Sequence, residues 1–341
     1  MPFDPDAAAA PGTGIFGLPN TRADSRVVLL PVPYDATTSY RRGTSEGPAA
    51  ILNASMQVDL FDRRFGRIYE RGIFMEPEPS RIRELSDDAG VLAADIIAQG
   101  GVPDGVPSDG AMANALRVIN AAGEEVNKFV ADAVRAIVRD GKIPGVIGGE
   151  HSVPFGAIAA LAEIHGDIGI LHIDAHMDLR EAFEGFTWSH ASIMYNVLQR
   201  VPGVKKLVQV GIRDFGEREM QLADESGSRV KVHYDDALAE ATMRGAAWPD
   251  LCRDIVKELP SKVYVSFDID ALDPSLCPHT GTPVPGGLAF QQAVKLLEAL
   301  KDSGKTVVGF DLVEVAPGHE DEPEWDANVG ARILYKLCGL V

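Results

Sequence analysis

The run Ile168-Gly169-Ile170-Leu171-His172-Ile173-Asp174-Ala175-His176-Met177-Asp178 decides the fold. Its first half is nearly continuous in apolar residues and does not alternate. That is the pattern of a strand covered on both faces, which belongs to a parallel sheet. The second half turns abruptly polar. In open α/β sheets the ligand lies outside the carboxyl ends of the strands, so polar residues clustered there mark a site.

The same pattern repeats outward along the chain. Val27–Leu30, Gly145–Ile147, Lys206–Val210, Val263–Phe267 and Thr306–Phe310 read as further buried strands. Ile119, Val126, Phe129, Val130, Val134 and Ile137 recur at helical spacing before Gly141, a C-terminal stop. Ala293, Val294, Leu297 and Leu300 repeat that spacing and end near Gly304. The alternation predicts a doubly wound α/β fold, with a mainly parallel sheet in one domain over residues 26–341. Residues 1–25, rich in Ala, Pro, Gly and Asp, are expected to form a loosely ordered arm. Residues 100–107, with their glycines and prolines, are expected to form a surface loop.

Bulk composition narrows the function classes. Lys and Arg total 32 against 50 Asp and Glu, a net charge of −18, which disfavours nucleic acid as a partner. The three cysteines, Cys252, Cys277 and Cys338, are too few and too scattered for a disulfide scaffold and fit a reducing compartment. No apolar run reaches the roughly 18–20 residues of a membrane span, and no basic leader with a long apolar core opens the chain. The expected location is the cytoplasm, with no membrane partner.

Polar clusters fall at strand end after strand end. Gly148-Gly149-Glu150-His151-Ser152 follows one strand, Asp174–Asp178 the next, Asp268-Ile269-Asp270-Ala271-Leu272-Asp273-Pro274 a third, and Glu314 a fourth. In Asp174-x-His176-x-Asp178, alternate residues of extended chain share a face, so the three side chains converge. Adding His151, Asp268 and Asp270 gives four carboxylates and two imidazoles, too many for one tetrahedral zinc. Carboxylates so close repel unless cations neutralise them, and two divalent ions balance the set. Two metals about 3.5–4 Å apart form a hydrolytic centre. By contrast, His172 inside the apolar strand is expected to be a satisfied core histidine, and Asp273 before Pro274 a turn carboxylate. His165 and His233 earn no role.

With these motifs, and with Gly43-Thr44-Ser45-Glu46-Gly47-Pro48 and Thr280-Gly281-Thr282-Pro283 in support, the sequence resembles the arginase–agmatinase family of ureohydrolases from about residue 27 onward. The resemblance implies an arginase-like three-layer α/β/α fold and an enzyme that hydrolyses linear amidine C–N bonds. It implies one metal held by His151, Asp174, Asp178 and Asp268, and a second by Asp174, His176, Asp268 and Asp270, with Asp174 and Asp268 bridging. Asp178 is thereby placed in the catalytic centre. Glu314 matches the family carboxylate that grips the guanidinium, and His190 the histidine read as a proton shuttle. Trimers or hexamers are the family expectation, and a hetero-oligomer with a paralogue is a further one.

The sequence departs from common agmatinase patterns at Ser189-His190-Ala191-Ser192, at His279 before Thr280, and in an extra segment around residues 80–115. These features look closer to the nickel-dependent guanidine hydrolases. The expected substrate is therefore guanidine or a small N-alkyl guanidine, yielding urea plus ammonia or an amine, with manganese or nickel as the metal. That choice supposes that Phe183, Phe186 or Trp188 roofs the site, although all three can equally anchor their loop in the core. Agmatine or another ω-guanidino compound is the alternative, with Glu181 or Glu184 receiving a distal ammonium. Two further readings remain: a mononuclear zinc deacetylase needing only Asp174, His176 and Asp268, and a non-catalytic paralogue.

Overall fold

The computed structural model describes residues 3–10, 12–103, 107–319 and 324–341. Eight strands occur among them: β1 (Val27–Val32), β2 (Ile73–Met75), β3 (Ile143–Gly148), β4 (Ile168–Ile173), β5 (Val204–Ile212), β6 (Val230–Tyr234), β7 (Lys262–Asp268) and β8 (Thr306–Val313). They form one sheet in the order β2-β1-β3-β8-β7-β4-β5-β6, and every ladder is parallel. All six strands expected from the sequence are present. The two not expected, β2 and β6, are the sheet's edges, where a three-residue strand and a half-exposed one carry little apolar signal.

Ten α-helices cover the two faces among the described residues. On one side lie α1 (Gly47–Ser55), α7 (Asp235–Met243), α8 (Trp248–Lys257), α9 (Phe290–Asp302) and α10 (Asp326–Cys338), sharing a core with Leu29, Leu171, Val265 and Phe310. On the other lie α2 (Ser80–Ile97), α3 (Ala111–Arg139), α4 (Phe155–His165), α5 (Ile193–Arg200) and α6 (Glu217–Glu225), packed on Leu30, Val146, Ile170 and Tyr264. The result is the three-layer α/β/α architecture, with central strands buried on both faces. Gly141 (φ 74°) and Gly304 (φ 72°) stop α3 and α9 in the left-handed conformation that suits glycine. None of the described helices is long and apolar enough to cross a membrane.

One expectation changes. The segment 1–25 is not loose along its whole length: Ile15, Phe16 and Leu18 are at most 2% exposed, and Phe16 N donates to Ser55 Oγ at 2.9 Å. Three apolar side chains within four residues bury enough surface to pin the arm. The extra segment 80–115 is mostly helical, formed by α2 and the start of α3, and it braces the loops described next. Within the expected loop 100–107, residues 104–106 lie outside the described residues.

Candidate active site

The loops after β3, β4, β7 and β8 converge at the carboxyl edge of the sheet. Gly149 makes the first turn possible, because a Cβ there would sit 2.1 Å from the Tyr34 carbonyl oxygen. That close approach lets Glu150 N donate to Tyr34 O at 2.8 Å and sends His151 into the centre.

His151 Nδ1 lies 2.9 Å from Asp174 Oδ2, 3.1 Å from Asp178 Oδ2 and 3.2 Å from Asp268 Oδ2. His176 Nδ1 lies 3.0 Å from Asp270 Oδ2 and 3.5 Å from Asp174 Oδ1. Asp174 thus turns one oxygen to each histidine, as a bridging ligand must. All six expected ligands are gathered, and five of them are buried, His176 being partly open. Asp268 Oδ1 accepts from Asp270 N at 2.8 Å, and Asp270 Oδ1 from Ala175 N at 3.1 Å, which fixes both carboxylates. Burial, then Asp270 and Asp174, push the Asp268 carboxyl well above the usual range.

The donor set fits metal. His151 Nδ1 and Asp270 Oδ2 are buried without a hydrogen bond, although carboxylate oxygens surround the first and an imidazole faces the second. The tautomer of His151 follows from its other nitrogen. Nε2 is 2.9 Å from Ser266 Oγ, whose own proton goes to Asp311 Oδ1 at 3.1 Å. Ser266 therefore accepts from Nε2–H, and Nδ1 keeps its lone pair for an ion. The clusters His151, His172, Asp174, Asp178 and Asp174, His176, Asp270 each bring their ligand atoms within 4.8 Å of one another.

His172 is a satisfied core residue, and it does more than fill space. Its Nδ1 accepts from Gln209 Nε2 at 2.9 Å, which leaves the proton on Nε2, aimed at Asp174 Oδ2 at 2.7 Å. It orients the carboxylate of Asp174. The sequence concealed this role, like those of Ser266, Asp311 and Gln209, because each is a single polar residue inside an apolar strand.

Glu314 adopts φ 62° directly after β8. Its Oε1 accepts from His151 N at 2.8 Å, while Oε2 is buried and unpaired. Burial, then the neighbouring Glu150, push this carboxyl well up, so its charged form is disfavoured unless a cation stands beside it. His190 is buried on the 180–192 loop. Its Nδ1 is 2.8 Å from Thr37 O and its Nε2 is 3.3 Å from Ser39 Oγ. Burial, then facing His176, lower its pKa to about 4. Glu150 accepts from Thr37 N at 2.7 Å, Thr37 Oγ1 at 2.6 Å and Ser152 Oγ at 2.5 Å, and burial raises its pKa to about 7.

A cavity of about 310 Å³ opens over the cluster, with Ser39, His176, Asp178, Phe183, His190 and Thr282 in its wall. It shares Arg180, Phe183 and Glu219 with an outer cavity of about 620 Å³. Of the three loop aromatics, Phe183 reaches the cavity; Phe186 is fully buried and Trp188 packs on Phe155 with centroids 4.8 Å apart. Residues of the 80–115 segment hold this mouth in shape. Gly101 leaves no room for a side chain beside Glu184, and Ser86 donates to Asp35 of the loop after β1. His279 pairs through Nδ1 with the buried Asp326 at 2.9 Å, ahead of the Thr280–Thr282 wall.

Comparison with known proteins bears on this arrangement. A sequence model of the arginase family matches residues 25–339. The chain is 34% identical over 332 residues to an N(1)-aminopropylagmatine ureohydrolase of Thermus thermophilus, covering 96% of this chain and 94% of that one. It is 32% identical over 319 residues to an agmatinase of Bacillus anthracis, covering 93% of each. The solved structure of proclavaminate amidino hydrolase from Streptomyces clavuligerus superposes with a TM-score of 0.72 at 24% identity, over 98% of each chain.

Proposed function

The chain belongs to the arginase family, a hydrolase acting on linear amidine C–N bonds, and from that premise we propose a binuclear metal-dependent ureohydrolase of an N-substituted guanidine. The observation that carries it is the pair of orphaned atoms, His151 Nδ1 and Asp270 Oδ2, set in two overlapping His–carboxylate clusters, with the unpaired Glu314 Oε2 on the carboxylate that accepts from His151 N. His151, Asp174, Asp178 and Asp268 would hold one divalent ion, and Asp174, His176, Asp268 and Asp270 the other. Manganese or nickel there supplies Lewis-acid activation of water at neutral pH.

The chain's own residues do the rest. Glu314 Oε2 accepts an N–H of the planar cation and holds its carbon over the cluster. His190, protonated on Nδ1 towards Thr37, presents the Nε2 lone pair. It takes a proton from the attacking water and delivers it to the departing nitrogen as the C–N bond breaks. Water adds its oxygen to the carbon, so the products are urea and an amine.

Guanidine itself, or a short N-alkyl guanidine, is the narrower reading. A 310 Å³ cavity that continues outward past Tyr40 and Phe183 favours a substrate with a tail, agmatine or another ω-guanidino compound, over that reading. The mononuclear zinc deacetylase leaves His151 and Asp270 without a task. We place the enzyme in the cytoplasm, where its three buried free thiols stay reduced, as a trimer or hexamer or in a hetero-oligomer with a paralogue. Metal analysis and urea release decide the reading: two ions per chain and urea from a guanidino compound support it, whereas one ion or no urea overturns it.

A further inference from the structure

Resting on the ureohydrolase reading, we infer that Arg180 makes the mouth select a guanidino substrate whose far end is a carboxylate. Arg180 lies two residues beyond Asp178, on the wall shared by the inner and outer cavities. Its guanidinium carbon stacks 4.6 Å from the Phe183 ring centroid, and its Nε lies 3.4 Å from Glu219 Oε2. Glu219 is largely committed elsewhere. Its Oε1 accepts from Leu179 N at 2.9 Å and its Oε2 from Gly216 N at 2.8 Å. The terminal nitrogens of Arg180 meet no acceptor among the described residues, and Arg180 is the one Lys or Arg among the described residues lining the inner cavity. A planar fork held by stacking, with its outer donors unfilled, is a receptor for a carboxylate.

An ammonium tail meets the opposite situation. Glu181, Glu184, Glu217 and Glu225, the groups suited to receive it, stand in the wall of the outer cavity, so the tail has to pass Arg180, whose carboxylate partner Glu219 is shared with two backbone donors. Asp214 on the inner wall is the competing carboxylate, beside Asp178 and the committed Glu219. The net charge of −18 disfavours an anion at long range, but salt screens that field within about 8–10 Å, and the contact group then decides.

The test compares 4-guanidinobutyrate with agmatine, which carry opposite charges at the end of a short chain. The wild-type enzyme is expected to prefer the acid in kcat/KM by about tenfold or more. Arg180→Gln is expected to lower kcat/KM for the acid by about tenfold to hundredfold, the worth of a charge-assisted hydrogen bond, while agmatine stays level or improves. Arg180→Glu is expected to reverse the preference. A wild type that favours agmatine, or a ratio unmoved in both variants, overturns the inference while urea release upholds the ureohydrolase reading. No urea from either compound overturns this inference, and urea release from guanidine and an N-alkyl guanidine then decides whether the ureohydrolase reading stands.

Discussion

His190 Nδ1 lies 2.8 Å from the carbonyl oxygen of Thr37, a group that can only accept. The contact fixes the proton on Nδ1 and leaves Nε2 as the basic nitrogen facing Ser39 and the cavity. His190→Ala is therefore expected to lower kcat by about 10²–10⁴-fold, the range of general acid–base catalysis, with little change in KM. Metal content by elemental analysis is expected to match the wild type. Wild-type turnover in the variant would remove the shuttle role.

Glu150 supports that contact from behind, because both its oxygens hold Thr37. Glu150→Gln exchanges a charged acceptor for an amide with one acceptor end, among donors that all point inward. We expect kcat to fall about tenfold while KM and metal content stay level, since the lost hydrogen bonds reach the chemistry only through His190. A shifted NMR signature of the His190 ring nitrogens would accompany it. A rise confined to KM would contradict the chain from Glu150 to Thr37 to His190.

The division of Asp174 between two histidines sets a pattern of metal loss. Asp174→Ala is expected to empty both sites, and His151→Ala mainly one, by metal analysis after dialysis. His172→Ala leaves every ligand in place but frees Asp174 Oδ2, so metal affinity is expected to fall about 10–100-fold. A fully loaded, active Asp174→Ala or Asp268→Ala protein would overturn the ligand assignment.

Asp35 governs a pH-dependent part of stability. Burial works against its charge, but Arg42, Gly43 N and Ser45 N outweigh burial and hold its carboxyl below the usual range. A lowered folded-state pKa contributes stability above the unfolded value of about 3.9, and that stability is lost as pH falls through the folded value. Asp35→Asn is expected to cost about 1–3 kcal/mol in denaturant unfolding at pH 7, and the gap is expected to begin narrowing only as pH falls below the unfolded value of about 3.9. A gap that does not change along the acid limb would show that packing, and not charge, holds the loop.

The chemistry was legible in the sequence where polar residues break an apolar strand at its end, as at Asp174–Asp178 and Asp268–Asp270. Such breaks have a position in the pleat and hence a direction. The edge strands β2 and β6 had no such contrast. The supporting groups were hidden for another reason: Asp35, Thr37 and Ser39 sit in a loop without periodicity, and their partners are remote in sequence, Glu150 for Thr37 and His190 for Ser39. His172 was read as satisfied, which it is, but what satisfies it is Asp174, a carboxylate of the candidate site itself. Arg180 carries no signal of its own in the sequence, because Phe183 and Glu219, which hold it, meet it only in the folded chain.

The sheet order carries a last consequence, for the timing of assembly. His151 follows β3 and Asp268 ends β7, yet these strands are not neighbours, since β8 lies between them. A chain still emerging from the ribosome can have synthesised every metal ligand by residue 270 and still lack the spacer that sets them apart correctly. That spacer, Thr306–Val313, arrives almost at the end and brings Glu314 with it. The candidate ligand cluster and Glu314 are thus brought to their final arrangement in one late step, which a chain truncated before residue 306 does not reach.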